Sequence, residues 1–469
     1  MRRTLSAMSL GFLLVSIAFA TAAALDTSYV LDIHVDYEQA AFSGVVTVEI
    51  ENTSSVQLEQ LVFRLYPNEY EAFSGSSLEI EDVEARGEAL SFSSAEGLLT
   101  VTPARPLPEN EAITVDIGFS GTAPWLDAED RTTGTGMIAK TDRALTLLAF
   151  YPILALHNGE DWVTTPTAEH GDRPSAEAAA YEIRLTVDDS VTPIVPGVLV
   201  SQTHEDGSRC YQYRIQWARD IAIVLVEDYQ ALEQLVDEIP ITVWVPSGNV
   251  EEGQQVLGIA CDAFDYFEQT VGPYAHESLN IVIIPTSGFA GVEYSGGFFV
   301  SREASAKLGE DEYLAYIRTI AHEVAHEWFF SAVGNDTLND PWLDEALAKF
   351  MDVAYVRARV DADTAARILS GYQAARRSYP VSYPTLSLTS GVNAFASSQT
   401  YNAFVYQIGA YFIEQLRKKM GDDAFWNALS EYYAEMTGSI ATPDDFFRVF
   451  TDACQCDMTT LLAAYRISL

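Results

Sequence analysis

Residues 319–350 read TIAHEVAHEWFFSAVGNDTLNDPWLDEALAKF, and the fold and chemistry of this chain depend on them. His322 and His326 stand four positions apart, so a helix places both imidazoles on one face, about one turn apart. Glu323 lies beside them on the same rim. Glu345 follows after 18 intervening residues, enough to leave this helix, cross a polar loop and return in a second helix. The pattern predicts two neighbouring helices that bring two imidazoles and one carboxylate together.

This set of side chains is typical of catalytic zinc, which keeps one open position, whereas structural zinc is usually closed by four ligands rich in Cys. No Cys lies near the stretch. We therefore predict that His322, His326 and Glu345 bind one zinc ion per chain and that Glu323 is the general base. Asp352, two turns beyond Glu345, is predicted to accept the free N–H of a ligand His. The alternative for Asp352 is an ordinary surface acid.

The composition restricts the partners of the protein. The chain has 469 residues and a formal net charge of -40, from 67 acidic and 27 basic residues. Such an excess of negative charge repels nucleic acid and anionic membranes, so neither is expected as a partner. We interpret the acidic surface as a solubilising coat, with attraction of cationic peptides as the alternative. The sequence does not predict an oligomeric state.

The first residues have the features of an export signal. Arg2 and Arg3 precede an apolar run over about 8–20, and small residues follow before Leu25. This order predicts a signal peptide over 1–24 and an exported protein, whether secreted, periplasmic or at the cell surface. An uncleaved N-terminal anchor is the alternative. After removal of the signal, no segment reaches the roughly 18 continuous apolar residues that span a bilayer.

Two patterns of hydrophobicity divide the rest of the chain. Residues 27–228 contain short Val-, Ile- and Leu-rich runs between turn clusters, which are typical of an all-β domain. In residues 235–469, strand-like runs precede a series of helical patterns. The candidate helices cover about 311–332, 342–359, 362–376, 400–420, 422–436, 442–453 and 457–465. The predicted fold is multidomain α+β, with an N-terminal all-β domain and a mainly helical catalytic domain that contains a small sheet.

Two further motifs flank the histidine stretch. Residues 290–294 read AGVEY and residues 406–410 read YQIGA. Together with the 18-residue gap, they resemble the gluzincin zinc aminopeptidases of the membrane alanyl aminopeptidase and leukotriene-A hydrolase group, in a short bacterial-type form. The motifs of that family are G-x-M-E-N and Y-x-K-G-A, and its gap differs from that of the thermolysin endopeptidases. The resemblance covers most of the mature chain and implies a thermolysin-like catalytic domain.

The resemblance implies roles for further residues. Glu293 would bind the free α-ammonium of a peptide, with Gly291 beside it in the substrate site. The Tyr406 hydroxyl would stabilise the oxyanion that forms during hydrolysis. The pattern alone favours a core role for Tyr406, in an aromatic-rich helix, and a turn position for Glu293. The implied activity is zinc-dependent release of N-terminal residues from peptides, with Glu323 taking a proton from the attacking water.

Departures from the family motifs leave the substrate preference open. The family's usual Gly, Met, Asn, Gly and Lys are replaced by Ala290, Val292, Asp344, Ala346 and Ile408. None of these changes removes a ligand, the base or the Tyr. The sequence ends soon after the catalytic domain, which predicts a more open cleft than in bigger relatives. The alternatives are a zinc endopeptidase or dipeptide-releasing enzyme and, outside the hydrolases, a non-catalytic zinc-binding surface protein.

The other His and Cys residues have less specific patterns. The irregular segment 151–176 is expected to be a loop that packs against the domain or gates a site. Its histidines, His157 and His170, lack the spacing of metal ligands. The four Cys residues, at 210, 261, 454 and 456, could form disulfides after export, but their number and spacing do not determine the pairing. A metal site at Cys454 and Cys456 is a weaker alternative.

Overall fold

The computed structural model describes residues 25–69, 75–126, 137–168, 170–173, 175–205, 207–285, 289–301 and 310–467. The predicted signal peptide, 1–24, lies outside these residues. Two hydrophobic cores organise the described chain, one among the N-terminal strands and one among the helices that follow. The predicted order, a β-rich part followed by a mainly helical part, is therefore confirmed.

Three sheets build the N-terminal part. Along Ala179–Asp188, buried and exposed residues alternate, so one face of the strand contributes to the core and the other meets solvent. The largest sheet contains, in spatial order, Val198–Glu205, Ser208–Ala218, Ala179–Asp188, Leu25–Asp36, Ala41–Asn52, Ala112–Thr122, Ser77–Ala85 and Glu88–Ala89. The smaller sheets contain Thr192–Ile194, Ala222–Val226, Ala144–Leu148 and Ile138–Lys140, and Ile153–Leu154, Leu61–Arg64, Leu98–Thr102 and Ser91–Ala95.

A five-stranded sheet begins the second part of the chain. Its strands are, in spatial order, Tyr229–Val236, Ile239–Pro246, Leu279–Ile284, Gly297–Ser301 and Gly291–Tyr294. Gly296, with φ of 81°, allows the chain to reverse between the last two strands, which pair antiparallel. Glu293 therefore lies in an edge strand opposite Phe298, and its predicted position in a turn is wrong. The predicted domain limits, 27–228 and 235–469, stay predictions.

Helices account for most of the remaining chain. They cover Val250–Thr270, Glu310–His326, Trp342–Tyr355, Ala362–Ser382, Ser398–Asn402, Gly409–Met420, Asp422–Met436, Pro443–Cys454 and Thr459–Ala464, and the short Tyr66–Glu69 helix lies in the N-terminal part. Val356–Val360 and Ala403–Ile408 are π-helical, and Val392–Ala394 is a 3-10 turn. Gly334–Asn335 and Ile440–Ala441 form a two-stranded ribbon. None of the helices in this described part of the chain is long and apolar enough to cross a membrane.

The Glu310–His326 helix ends earlier than predicted. The pattern predicts a helix over about 311–332, but a tight turn replaces its last six positions. In this turn Ser331 N donates to His326 O at 2.9 Å, and Phe330 N donates to Val333 O at 3.0 Å. Phe330 has φ of 141°, a conformation that no helix contains. Apolar residues continue beyond the helix because the turn is also buried, so hydrophobicity alone does not show where the helix ends.

One disulfide is present among the described residues. Cys454 and Cys456 are joined at the end of the Pro443–Cys454 helix, so their interpretation as a metal site is wrong. Cys210 and Cys261 are free thiols.

Candidate metal centre and active site

The two predicted helices bring three candidate ligands together. His322 and His326 lie on the Glu310–His326 helix, and Glu345 lies on the Trp342–Tyr355 helix. The Oε2 of Glu345 is 3.1 Å from the Nε2 of His322 and 3.5 Å from the Nε2 of His326. The two Nε2 atoms are 3.2 Å apart. These side chains are 2–8% exposed, so they form one buried cluster.

The chemistry of this cluster fits a zinc ion. One ligand atom from each residue lies within 4.8 Å of the others, and the donor set is two imidazoles and one carboxylate. The Nδ1 of His326 is 3.0 Å from the carbonyl oxygen of Phe329. An N–H at Nδ1 that donates to this carbonyl leaves Nε2 unprotonated, with its lone pair directed into the cluster. Although burial opposes ionisation, His322 and His326 hold the pKa of Glu345 well below its usual range.

Glu323 lies between the cluster and the edge strand of the five-stranded sheet. It forms a second trio with Glu293 and His326, in which ligand-type atoms again lie within 4.8 Å of one another. Burial raises the pKa of Glu323 well above its usual range, and the charge of Glu293 adds to this effect. A side chain at Gly291 would overlap the Glu323 carboxyl group. Glycine at this position therefore allows the strand to approach the predicted base closely.

Tyr406 lies in the π-helical segment Ala403–Ile408, and its hydroxyl donates a hydrogen bond to Oε1 of Glu345. Its ring centroid is 5.8 Å from that of His322. Burial raises the pKa of Tyr406 well above its usual range, and the charge of Glu345 adds to this, so the hydroxyl remains a donor at neutral pH. The structure thus brings the predicted tyrosine to the cluster rather than leaving it in the core. Its catalytic role stays a prediction.

Arg173 contacts the predicted ammonium-binding residue, and the sequence reasoning missed it. Its Nη2 is 3.1 Å from Oε1 of Glu293 and 3.1 Å from Oδ2 of Asp220, and it donates to the Glu293 carbonyl at 2.7 Å. Asp220 in turn accepts hydrogen bonds from the backbone and hydroxyl of Ser295. These contacts hold the edge strand against the N-terminal part of the chain. Arg173 stands beside Asp172 in an irregular segment, and no spacing rule marks either residue.

The same segment brings an additional acid to the site. Burial and the nearby carboxylates of Glu345 and Glu293 raise the pKa of Asp172 well above its usual range. The Nε2 of His170 is 3.1 Å from the carbonyl of Val392, and its ring lies 5.2 Å from that of Tyr401. His170 therefore packs beside the site without joining either trio of candidate ligands among the described residues. His157 is buried against Trp162, with ring centroids 5.0 Å apart, which agrees with a packing role.

Asp352 does not make the predicted hydrogen bond to a ligand histidine. Its carboxylate pairs instead with Arg318 at 2.9 Å and Lys349 at 3.0 Å. Among the described residues, the Nδ1 of His322 has no hydrogen-bond partner. Two cations compete more strongly than a neutral imidazole for a buried carboxylate, which explains the difference. Asp352 is fully buried, so it is not an ordinary surface acid either.

Comparison with known proteins identifies the part of the chain that holds the cluster. Residues 256–465 match the family model described as the peptidase family M1 domain. This matched segment contains His322, Glu323, His326 and Glu345. The chain is also 23% identical to the mitochondrial aminopeptidase 2 of Saccharomyces cerevisiae, over 62% of this chain and 31% of that protein. It is 21% identical to human endoplasmic reticulum aminopeptidase 1, over 56% of this chain and 29% of that protein. The chain thus spans about a third of the length of these curated relatives.

Solved M1 structures show that the fold extends beyond the matched family segment. The M1 zinc metallopeptidase of Deinococcus radiodurans aligns with a TM-score of 0.63 at 18% identity, covering 95% of this chain and 94% of that chain. The predicted resemblance to the zinc aminopeptidase family is therefore confirmed for the M1 domain. The fold of the β-rich part is shared with the two-domain M1 architecture.

Proposed function

We propose that this protein is a zinc-dependent aminopeptidase that binds one zinc ion per chain. The observation that carries the proposal is the buried trio of His322, His326 and Glu345 with Glu323 beside it and Glu293 next to Glu323. This arrangement combines a ligand set for zinc, a proton acceptor and a carboxylate for a substrate cation. The M1 relatives named aminopeptidases support the proposal. So does a mutant of the Deinococcus enzyme, solved with a Tyr-Ser-Ala substrate.

The mechanism follows from the position of each side chain. A zinc ion held by His322, His326 and Glu345 would supply Lewis-acid activation of a water and of the peptide carbonyl. Glu323 takes the proton from the attacking water and returns it to the leaving amine. The hydroxyl of Tyr406 donates a hydrogen bond to the oxyanion that develops, giving up its contact with Glu345.

Glu293 sets the direction of the substrate in this proposal. Its carboxylate lies between Glu323 and Arg173, in a region that also contains Asp172. The local excess of carboxylates favours a bound cation, and the α-ammonium of a peptide is such a cation. Binding of the ammonium beside Glu323 places the first peptide bond within reach of the base. Removal of one residue at a time follows from this geometry.

The signal-like sequence over 1–24 supports export as part of the proposal. Peptides outside the cytoplasm would then be the substrates. Fractionation of cells that express the full chain, with N-terminal sequencing of the mature protein, tests this point. Retention of residues 1–24 in a cytoplasmic fraction would contradict export.

Replacing Tyr406 with Phe is expected to lower kcat by roughly 10²-fold while KM changes little, because the lost hydrogen bond forms only in the transition state. Steady-state kinetics on an aminoacyl substrate measures the two constants. Replacing Tyr401 with Phe is the matched control, because its hydroxyl is buried beside the site but makes no hydrogen bond to a described residue. Equal losses in the two variants would contradict the role of Tyr406.

A panel of peptides tests the proposed function directly. Each peptide is assayed with a free and an N-acetylated N-terminus, before and after removal of metal with a chelator. We expect chelator-sensitive cleavage of the free peptides, restored by zinc, and only slow residual cleavage of the acetylated ones, because acetylation removes the positive charge. Cleavage of both forms at similar rates would favour the endopeptidase alternative. No chelator-sensitive cleavage of any peptide would favour the zinc-binding protein without activity.

A further inference from the structure

Arg219 is a buried cation that holds the turn after the metal-binding helix. It is 1% exposed and follows directly after the strand Ser208–Ala218. Its Nε donates to the carbonyls of Phe330 at 2.9 Å and Ser331 at 3.0 Å. Its Nη2 donates to the Ala332 carbonyl at 3.1 Å. Three consecutive carbonyls of the turn are thus bound by one planar guanidinium group, which a lysine ammonium could not reproduce.

The same guanidinium joins the turn to two other parts of the chain. Its Nη1 donates to the Ala176 carbonyl at 3.1 Å, in the N-terminal part. Its Nη2 also donates to the Ser439 carbonyl at 2.8 Å, before the Pro443–Cys454 helix. A side chain at Gly334 would overlap the guanidinium, so the chain approaches it closely at the end of the turn. The turn is therefore held from outside as well as by its own hydrogen bonds.

The turn requires such support because its backbone is strained. Phe330 has φ of 141°, a conformation that side chains other than glycine rarely adopt. The residue just before it, Phe329, supplies the carbonyl that lies 3.0 Å from the Nδ1 of His326. A change in the Phe329–Phe330 peptide would move this carbonyl and release the imidazole. The orientation of His326 thus depends on the backbone that Arg219 holds.

We infer that Arg219 is a positioning residue for the metal ligand His326. It acts at a distance, by binding the carbonyls of the strained turn so that the Phe329 carbonyl faces Nδ1 and Nε2 faces the metal cluster. Arg219 belongs to the β-rich part of the chain, so the contact makes the metal site depend on both parts. The inference rests on the proposed zinc site.

Zinc affinity tests the inference without relying on activity. We would prepare the full chain as wild type, Arg219→Gln and Arg219→Lys, remove the metal, and measure the dissociation constant for zinc by competition with a chromophoric chelator. Arg219→Gln is expected to weaken binding about tenfold or more, as for other groups that orient a metal ligand. Arg219→Lys is expected to recover only part of this loss, because it retains the charge but not the fork of donors.

A matched control separates this role from general stability. Arg64 is also buried, and it donates to the carbonyls of Val163 and Thr165 and pairs with Glu69, all in the N-terminal part. Arg64→Gln is expected to lower the unfolding temperature of the metal-free protein but to leave zinc affinity within about twofold of wild type. Equal zinc affinity in Arg219→Gln and wild type would overturn the inference. So would an equal loss of affinity in Arg219→Gln and Arg64→Gln.

Substitutions at Phe330 test the strained turn itself. Phe330→Ala and Phe330→Gly remove the same ring, but only glycine adopts a φ of this sign without strain. Each is combined with Arg219→Gln, or with Arg219→Lys if the Gln variant does not fold. The loss of zinc affinity caused by the Arg219 change is expected to be several-fold larger in the Phe330→Ala background than in the Phe330→Gly background. Equal losses in the two backgrounds would overturn the inference. Failure of the wild type to bind zinc would instead overturn the proposed function.

Discussion

Replacement of Glu323 with Gln is expected to lower kcat by about 10²–10⁴-fold and to leave zinc bound, because the amide cannot take a proton from the attacking water. The substitution keeps the size of the side chain, and the carboxyl already packs closely against Gly291. The three candidate ligands are unchanged. Kinetics on an aminoacyl substrate, together with zinc content by elemental analysis, separates loss of the base from loss of the metal.

Glu327→Gln is the matched control for this prediction. Glu327 is also buried and lies one turn further along the chain, but its Oε2 accepts from the Tyr274 hydroxyl at 2.7 Å, outside both candidate trios among the described residues. An amide oxygen can accept the same hydrogen bond. We therefore expect kcat within about threefold of wild type, since only a conservative structural change is made. A Glu323→Gln enzyme that retains zinc and turns over like wild type would contradict the mechanism.

The candidate ligands could be predicted from the sequence because their arrangement is local. The four-residue spacing of His322 and His326 fixes their shared face once a helix forms, and both lie on one helix in the structure. Glu345 reaches the histidines if the next helix packs alongside the first one, and a short loop between the two helices permits this. The β-rich and helical parts were likewise predictable, because residue periodicity differs between strands and helices.

Contacts between distant parts of the chain could not be predicted in this way. Arg173 meets Glu293 across 120 positions, and Arg219 meets the turn at Phe330 across 111. No sequence pattern marks either arginine, because a buried arginine can be identified only from the carbonyls and carboxylates that surround it in the fold. The prediction for Asp352 is wrong for a related reason, because other cations compete for its carboxylate. Its position two turns beyond Glu345 favours a hydrogen bond to a ligand histidine, but Arg318 and Lys349 pair with its carboxylate instead.

Replacement of Glu293 with Gln is expected to lower kcat/KM for free-amine peptides by roughly 10²-fold, equivalent to about 2–4 kcal/mol for a buried charge pair that loses one partner. The amide retains an oxygen that can accept from Arg173, so the position of that cation should change little. Peptides with an acetylated N-terminus have no ammonium to lose. Their residual cleavage should be unaffected by the substitution.

Asp220→Asn distinguishes a substrate role of Glu293 from its structural contact with Arg173. Asp220 accepts from the same Nη2 atom at 3.1 Å but belongs to neither trio of metal-type ligands in the described chain. Loss of the Arg173 contact alone would therefore affect the Asp220 and Glu293 variants alike, and free and acetylated peptides equally. Loss of ammonium recognition affects only Glu293→Gln, and only free peptides. The ratio of kcat/KM for free to acetylated peptide, compared across both variants, therefore shows which role Glu293 has. Its carboxylate either binds the α-ammonium of the substrate or only supports the edge strand through its contact with Arg173.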